Sequence, residues 1–295
     1  MIKQTKGKAL DKIAQSCLPS DTDIFLVTTK YDGNYIQIHK SGIYVRFYTS
    51  GGKEFYWQDV ALEFIDRFDG VDFIVEGEYI ADTNGKLGSR TKCSTGTARA
   101  NFTKGIVTNL GSNSIKLFDI LEYNSSTECM PTNTTAYDRT NLLIKHFSGF
   151  TNFISVCVPV VMTLSEAIDH TKVMVNDGWE GTFLKATNHT LHAGKRVNNA
   201  IKLKYRKTAD LFCVGVTDGE GKYKGMIGSL KLIDSKCRVV DVGSGLDDSD
   251  RVVPHDTYIG KVIEITYEQL IDTYIQPTLD GDSWLRLDKT VEDID

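Results

Sequence analysis

The chain has 295 residues, 41% of them hydrophobic and 25% charged, with a formal net charge of −5. These values exclude a disordered chain, a small disulfide-stapled scaffold and a strongly basic tail, and they fit an ordinary globular protein of about two domains. No apolar run approaches the roughly 18 residues of a membrane span, Met1 to Lys8 lack a signal-peptide core, and none of the six cysteines forms a Cys-x-x-Cys pair; a cytoplasmic chain with reduced thiols, no zinc site and no membrane partner is expected.

Residues 4 to 17 place Ala9, Leu10, Ile13, Ala14 and Cys17 at helical spacing, which predicts a short helix ended by Leu18-Pro19. Ile24 to Thr29 is an apolar, β-branched run that delivers Lys30, followed by Asp32 and Gly33. Burying a lysine is costly unless its amine is used, so Lys30 is a candidate covalent nucleophile. From these residues alone a plain hairpin with an exposed lysine is the favoured reading, and the rest of the chain has to shift it. Tyr35 to His39 and Ile43 to Tyr48 continue as strands, with a Gly-Gly loop over Thr49 to Lys53. Val60 to Phe68 reads as a helix burying Leu62, Ile65 and Phe68. Val71 to Ala81 is an apolar strand carrying Glu76 and Glu78, which a period of two points the same way. Asp82 to Arg99 is a polar, basic loop.

Further strands are expected at Ile115 to Leu121 and Ile154 to Val161, with a helix at Thr135 to Phe147. Thr163 and Glu166 form a capping-box signature for a helix reaching Asp177-Gly178. Gly181 to Ala186 and Ala200 to Leu203 are strand-like, and Ile201-Lys202-Leu203-Lys204 puts both lysines on one face, able to bracket a phosphate chain. Beyond Lys207 the pattern shifts to short strands with Gly-rich turns, at Leu211 to Val216, Ser229 to Ile233, Arg238 to Val242 and Lys261 to Tyr267. This predicts a small β-barrel over 208–295 after a larger domain over 1–207. Two stretches lack acids altogether: Thr83 to Phe118, with Lys86, Arg90, Lys92, Arg99, Lys104 and Lys116, and Lys195 to Lys207. They are candidates for a phosphate-facing surface, although such runs are also ordinary solvated faces.

In order and spacing, Lys30-Tyr31-Asp32-Gly33, Glu76-Gly77-Glu78, Phe118-Asp119, Glu180-Gly181 with Lys185, and Lys202-Leu203-Lys204 resemble the motifs of the covalent nucleotidyltransferase superfamily. Tyr137-Asp138-Arg139 and the second domain's Gly225 to Leu230, Gly243-Ser244-Gly245-Leu246, Asp250-Arg251 and Gly260 to Glu264 resemble ATP-dependent DNA ligases in particular. The resemblance implies an α+β fold: an adenylation domain with antiparallel sheets plus a C-terminal OB-fold, acting as a monomer on nicked duplex DNA in a bacterial or virus-infected cell. It implies that Lys30 takes AMP from ATP, with Asp32 an essential carboxylate, Thr28 at the adenine edge and Phe118 stacked on the base. Glu78 would hold ribose or metal, Glu180 magnesium or manganese, and Lys185, Lys202 and Lys204 the nucleotide, with the last two also catalytic. Arg46, Lys53, Arg90, Lys92, Arg99, Lys104, Arg286 and Lys289 would face nucleic acid.

Three departures stand out. Tyr35 occupies a position usually held by arginine, Thr49 to Lys53 replaces a Ser-Arg-Asn-like motif, and the C-terminal basic motif is reduced to Arg286-Leu287-Asp288-Lys289. An RNA ligase or an mRNA guanylyltransferase shares much of this pattern. A non-catalytic nucleic-acid-binding protein of the same fold is the reading from another class.

Overall fold

The structure is a computed structural model, and it describes residues 2–31, 33–80, 115–149, 154–270, 273–280 and 284–295. It divides into two compact units, Met1–Lys204 and Tyr205–Asp295.

The first unit is α+β and contains two sheets. One is five-stranded: β1 (Lys6–Ala9), β2 (Ile24–Thr29), β9 (Val160–Thr163), β10 (Thr182–Ala186) and β11 (Arg196–Leu203) lie in the order β1-β11-β10-β2-β9. The other is six-stranded: β3 (Asn34–Ser41), β4 (Tyr44–Thr49), β5 (Glu54–Phe55), β6 (Asp72–Tyr79), β7 (Ile115–Asn124) and β8 (Ile154–Val156) lie in the order β5-β4-β3-β6-β7-β8. Pairing is antiparallel except for β1 with β11 and β7 with β8. Helices α1 (Gln58–Arg67) and α2 (Ala136–Phe147) cover the six-stranded sheet, and their Phe64 and Phe147 join Phe68 and Phe73 in one aromatic core. Helix α3 (Leu164–Asn176) packs Leu164 and Ala167 against Phe25, Val27, Leu184 and Ile201 of the five-stranded sheet. The Thr163–Glu166 capping box at its start is formed, and Gly178 at φ 94° ends it in the left-handed conformation that glycine tolerates.

Strand alternation decides what faces where. On β10, Leu184 enters the core while Phe183 and Lys185 point to the opposite face. On β11, Ile201 and Leu203 enter the core while Ala200 and Lys202 do not. On β6, Val75 is core while Glu76 and Glu78 face away.

Several expectations are corrected. Residues 4 to 17 form β1 and two short 3₁₀ turns, Leu10–Lys12 and Gln15–Cys17, rather than a helix. The apolar spacing that suggested a helix is satisfied by Ile13 entering the core while Lys6 to Ala9 pair alongside β11. Ile154 to Val161 is two strands in two different sheets, with Pro159 between them. Leu62 is exposed, because Val60, Ala61 and Phe64 take the buried stripe of α1. Asp82 to Lys104 lies outside the described residues.

The second unit is built on β12 (Lys207–Asp218), β13 (Ile227–Ile233), β14 (Val239–Val242), β15 (Val262–Tyr267) and β18 (Leu285–Arg286), in the antiparallel order β14-β13-β12-β15-β18. A small two-stranded ribbon adds β16 (Gln269–Leu270) and β17 (Tyr274–Ile275). Among the described residues β14 and β18 do not pair with each other, so the sheet is OB-like without a closed barrel. Arg251, buried on the short helix α4 (Asp248–Arg251), donates to the carbonyls of Ile227, Gly228 and Gly243 at 2.9, 2.7 and 2.6 Å. It thereby ties the glycine-rich turns together. No helix among the described residues is long and apolar enough to cross a membrane.

Phe64 is fully buried at the centre of the aromatic core. Phe64→Ala should therefore cost about 3–5 kcal/mol, read as a lowered midpoint in urea unfolding with an unchanged slope.

Candidate active site

The outward faces of β2, β10 and β11 and of β3, β6 and β7 enclose a cavity of about 240 Å³ in the first unit. Thr28, Lys30, Tyr35, Glu76, Glu78, Phe118, Phe183, Lys185, His189 and Lys202 all line it. The chain reaches Lys30 through β2, and the Lys30 N–H donates to the Gly181 carbonyl at 2.9 Å, which fixes the lysine beside the entrance of β10. Gly181 has φ 140°, and a Cβ there would lie 2.1 Å from the Leu203 carbonyl oxygen. Only glycine lets this segment pack onto the end of β11, and that approach is what brings Glu180, Lys30 and Lys204 together.

Glu180 accepts hydrogen bonds on both carboxylate oxygens, one from the Lys30 ammonium and one from Lys204. Its side chain is 6% exposed. Burial alone would raise its pKa, but the two ammonium groups hold it below the ordinary carboxylate value. Lys202, on the cavity side of β11, is pushed down by burial and by the positive charges of Lys30 and Lys204. The Thr28 hydroxyl donates to the Phe183 carbonyl at 3.2 Å. Glu78 accepts from the Gly33 N–H at 3.2 Å, and a Cβ on Gly33 would lie 2.3 Å from the Tyr79 carbonyl oxygen. Asp32 itself lies outside the described residues.

Phe118 reaches the cavity through a β-bulge. Asp119 pairs with Glu76 and Leu117 with Gly77, so Phe118 is an extra residue on β7. The bulge turns both Phe118 and Asp119 to the cavity side. Lys185 spans it, donating to the Phe118 carbonyl at 3.0 Å and to Asp119 at 2.8 Å, with its ammonium 5.5 Å from the Phe118 ring centre. Arg139, fully buried, completes the network with Asp119 at 2.9 and 3.2 Å. Burial would raise Asp119, but Lys185 and Arg139 hold it well below the usual carboxylate range.

Sequence reasoning quoted Arg139 within a motif without giving it a role, and offered Glu76 only as the partner of Glu78 in a carboxylate pair for a magnesium ion or a ribose. Glu76 is buried and accepts from the hydroxyl of Tyr35, the residue standing at the usual arginine position, and from Gln37 at 3.3 Å. Burial, reinforced by the nearby charge of Asp119, raises Glu76 to about 7. His189 and Cys157, also on the cavity wall, had no sequence signal beyond their presence.

The expected nucleic-acid residues are not gathered in the cavity. Arg46, on β4, is exposed and 3.9 Å from Glu54, and Lys53 is exposed in the following turn. Arg286 is held by Asp210, Glu264 and Asp288 at 3.3, 2.9 and 2.7 Å within the second unit, and Lys289 pairs with Asp210. Arg90, Lys92, Arg99 and Lys104 lie outside the described residues. Among the described residues, Glu180 is bonded to Lys30, and Glu76, Glu78 and Asp119 line the same cavity. Among the described residues no group of three or more His, Cys, Asp or Glu side chains is arranged to hold a metal ion.

Residues 5–204 match the family model described as the ATP dependent DNA ligase domain, and residues 218–274 match the DNA ligase OB-like domain. A DNA ligase of Methanothermobacter thermautotrophicus is 27% identical over 237 residues, covering 75% of this chain and 41% of that protein. The chain thus spans about two-fifths of the length of this curated relative. Among solved structures, a Lig E DNA ligase superposes with a TM-score of 0.65 at 16% identity, covering 97% of this chain and 98% of that one. The structure named Pmar-Lig_PreS3 gives 0.65 at 15% identity, over 97% and 68%. At these identities the superpositions speak to the fold.

Glu76 offers a check on the buried electrostatics. Its raised pKa contributes stability that is full below the ordinary glutamate value and lost as pH rises through about 7. Chemical denaturation across pH 4 to 8 should show wild type losing on the order of 3 kcal/mol relative to Glu76→Gln. A constant difference across that range would refute the raised value.

Proposed function

Because this chain belongs to the ATP-dependent DNA ligase family, we propose that it seals nicks between a 3′-hydroxyl and a 5′-phosphate in duplex DNA through an AMP carried on Lys30. The observation that carries the reading is Glu180 bridging Lys30 and Lys204 at a cavity lined by Lys202 and Phe118. A nucleophilic lysine, a counter-charge for phosphates and an aromatic platform for a base, Lys30, Lys202 and Phe118, thus line one cavity.

The Lys30 amine attacks the α-phosphorus of ATP. A P–N bond forms, the bond to the bridging oxygen breaks, and pyrophosphate departs. The 5′-phosphate of the nick then takes the AMP, breaking the P–N bond. The 3′-hydroxyl attacks that activated phosphorus, closes the strand and releases AMP.

Lysine must lose a proton before it attacks. Glu180 is the acceptor that the ammonium meets among the described residues. Lys202 and Lys204 act as point charges for phosphate oxygens. Phe118, set by its bulge, offers a face to the adenine, and Thr28 sits beside it at the end of β2.

A divalent ion that keeps most of its waters needs only one or two carboxylates plus substrate phosphates. Glu180 and Glu78 fit that requirement, since Glu180 is bonded to Lys30 and held below the ordinary carboxylate value and Glu78 lines the same cavity as Lys30. They would hold magnesium or manganese, which neutralises charge on the departing pyrophosphate. We assign the first unit, 1–207 in the sequence-based division, to adenylation and the remainder to the OB-fold domain. Arg46, Lys53 and the acid-free stretch with Arg90, Lys92, Arg99 and Lys104 are assigned to DNA contact.

Incubation with α-labelled ATP and magnesium, followed by denaturing electrophoresis, should label the wild-type chain and leave Lys30→Ala unlabelled. Absence of label on wild type would overturn the proposal. Affinity for a nicked duplex should fall steeply between 50 and 200 mM salt, and an affinity flat over that range would contradict the assignment of the basic stretches.

A further inference from the structure

Of the four buried side-chain polar atoms that lack a hydrogen-bond partner among the described residues, His189 Nδ1 is the one whose residue lines the active-site cavity. His189 is 2% exposed. Its backbone is held on both sides: its N–H donates to the Ala186 carbonyl at 2.9 Å, and its carbonyl accepts from the Ala136 N–H at 2.7 Å and from Arg139 at 3.3 Å. The ring is therefore placed by the same arginine that holds Asp119 and, through Lys185, the Phe118 bulge. A buried ring nitrogen without a partner is costly, and one on a residue that lines a cavity is accounted for when an occupant of that cavity, meeting the ring, supplies the missing bond.

Position along the sheet says which part of a nucleotide this is. Lys30 is hydrogen-bonded to Gly181, at the entrance of β10. His189 follows the other end of β10, beyond Lys185 and Ala186. At roughly 3.3 Å per strand residue, the two ends lie on the order of 13 Å apart. The phosphate-binding cations Lys202 and Lys204 stand at the Lys30 end, beside Glu180. Towards the other end Lys185 holds the Phe118 carbonyl, and Phe118 and Leu191 both line the cavity. Burial and the charges of Arg139 and Lys185 push His189 down to about 4, so its ring is neutral near pH 7 and brings no positive charge to a phosphate.

Building on the proposed use of ATP, we infer that His189 is a specificity-determining residue that hydrogen-bonds the edge of the purine base stacked on Phe118. A neutral imidazole has one donor and one acceptor nitrogen, and adenine presents an amino donor beside ring-nitrogen acceptors. The base gives the imidazole its partner, and the imidazole reads the amino group.

The test measures equilibrium binding on the Lys30→Ala background, which does not depend on adenylylation, and compares ATP, purine riboside triphosphate (which lacks the 6-amino group) and 2′-deoxy-ATP. Without the His189 change, binding should weaken about tenfold from ATP to the purine analogue, the loss of one well-placed hydrogen bond. His189→Phe should weaken ATP about tenfold and erase the difference between ATP and the purine analogue. His189→Asn, which keeps an amide near the Nδ1 position, should restore part of it. An unchanged discrimination in His189→Phe overturns the inference. So does a loss confined to the comparison with 2′-deoxy-ATP, which would put the ring on the ribose. Failure of the ligase proposal reads out separately, as an unlabelled wild-type chain.

Discussion

Three charges meeting at one buried carboxylate set the terms for the rest of the site. Lys30 and Lys204 repel one another, and Glu180 is too buried to ionise alone at low cost. Together they satisfy each other, with one ammonium on each carboxylate oxygen. The arrangement depends on Gly181, whose backbone lies so close to Leu203 that no side chain fits between them. The ends of β2, β10 and β11 are thus drawn to one point by a backbone contact and held there by an ion triad. Lys202, one alternation back on β11, keeps its side chain on the cavity wall with a depressed pKa. It stands as a cation in a site already crowded with them, ready for an anionic occupant.

The second network shapes the opposite wall. The bulge in β7 breaks the strict alternation of the strand and presents Phe118 and Asp119 to the same side. The Phe118 carbonyl is then met by Lys185, whose charge is balanced by Asp119, which is in turn clamped by Arg139. Lys185 is therefore engaged in fixing the position of Phe118. Tyr35 and Glu76 form a third, shorter pairing on the same wall. Where the family usually has an arginine, this chain has a phenol hydrogen-bonded to a carboxyl of raised pKa, which removes one positive charge from the wall.

The second unit follows a different economy of charge. Arg286 and Lys289 are surrounded by Asp210, Glu264 and Asp288, and Asp210 is itself tied to the backbone of Asp295. These cations stabilise the packing of β18 and the following turn against β12 and β15 within the unit.

The amino-acid sequence by itself determined most strands, the capped helix after Thr163, and the facing of Glu76 with Glu78. Each follows from a local rule: a period of two, a side-chain cap, or a glycine at a turn. It also carried the ordered motifs that identify the family. It did not determine that residues 6 to 9 would pair beside β11, that Ile154 to Val161 would divide between two sheets, or that Glu180 would join two lysines. Nor did it reveal the bulge that turns Phe118, the burial of Arg139 against Asp119, or the unpartnered His189. Those features belong to the tertiary structure because they arise from contacts between residues tens to more than a hundred positions apart. Alternation and capping are felt within a few residues, whereas the pairing of buried charges exists only once the sheets have closed around them.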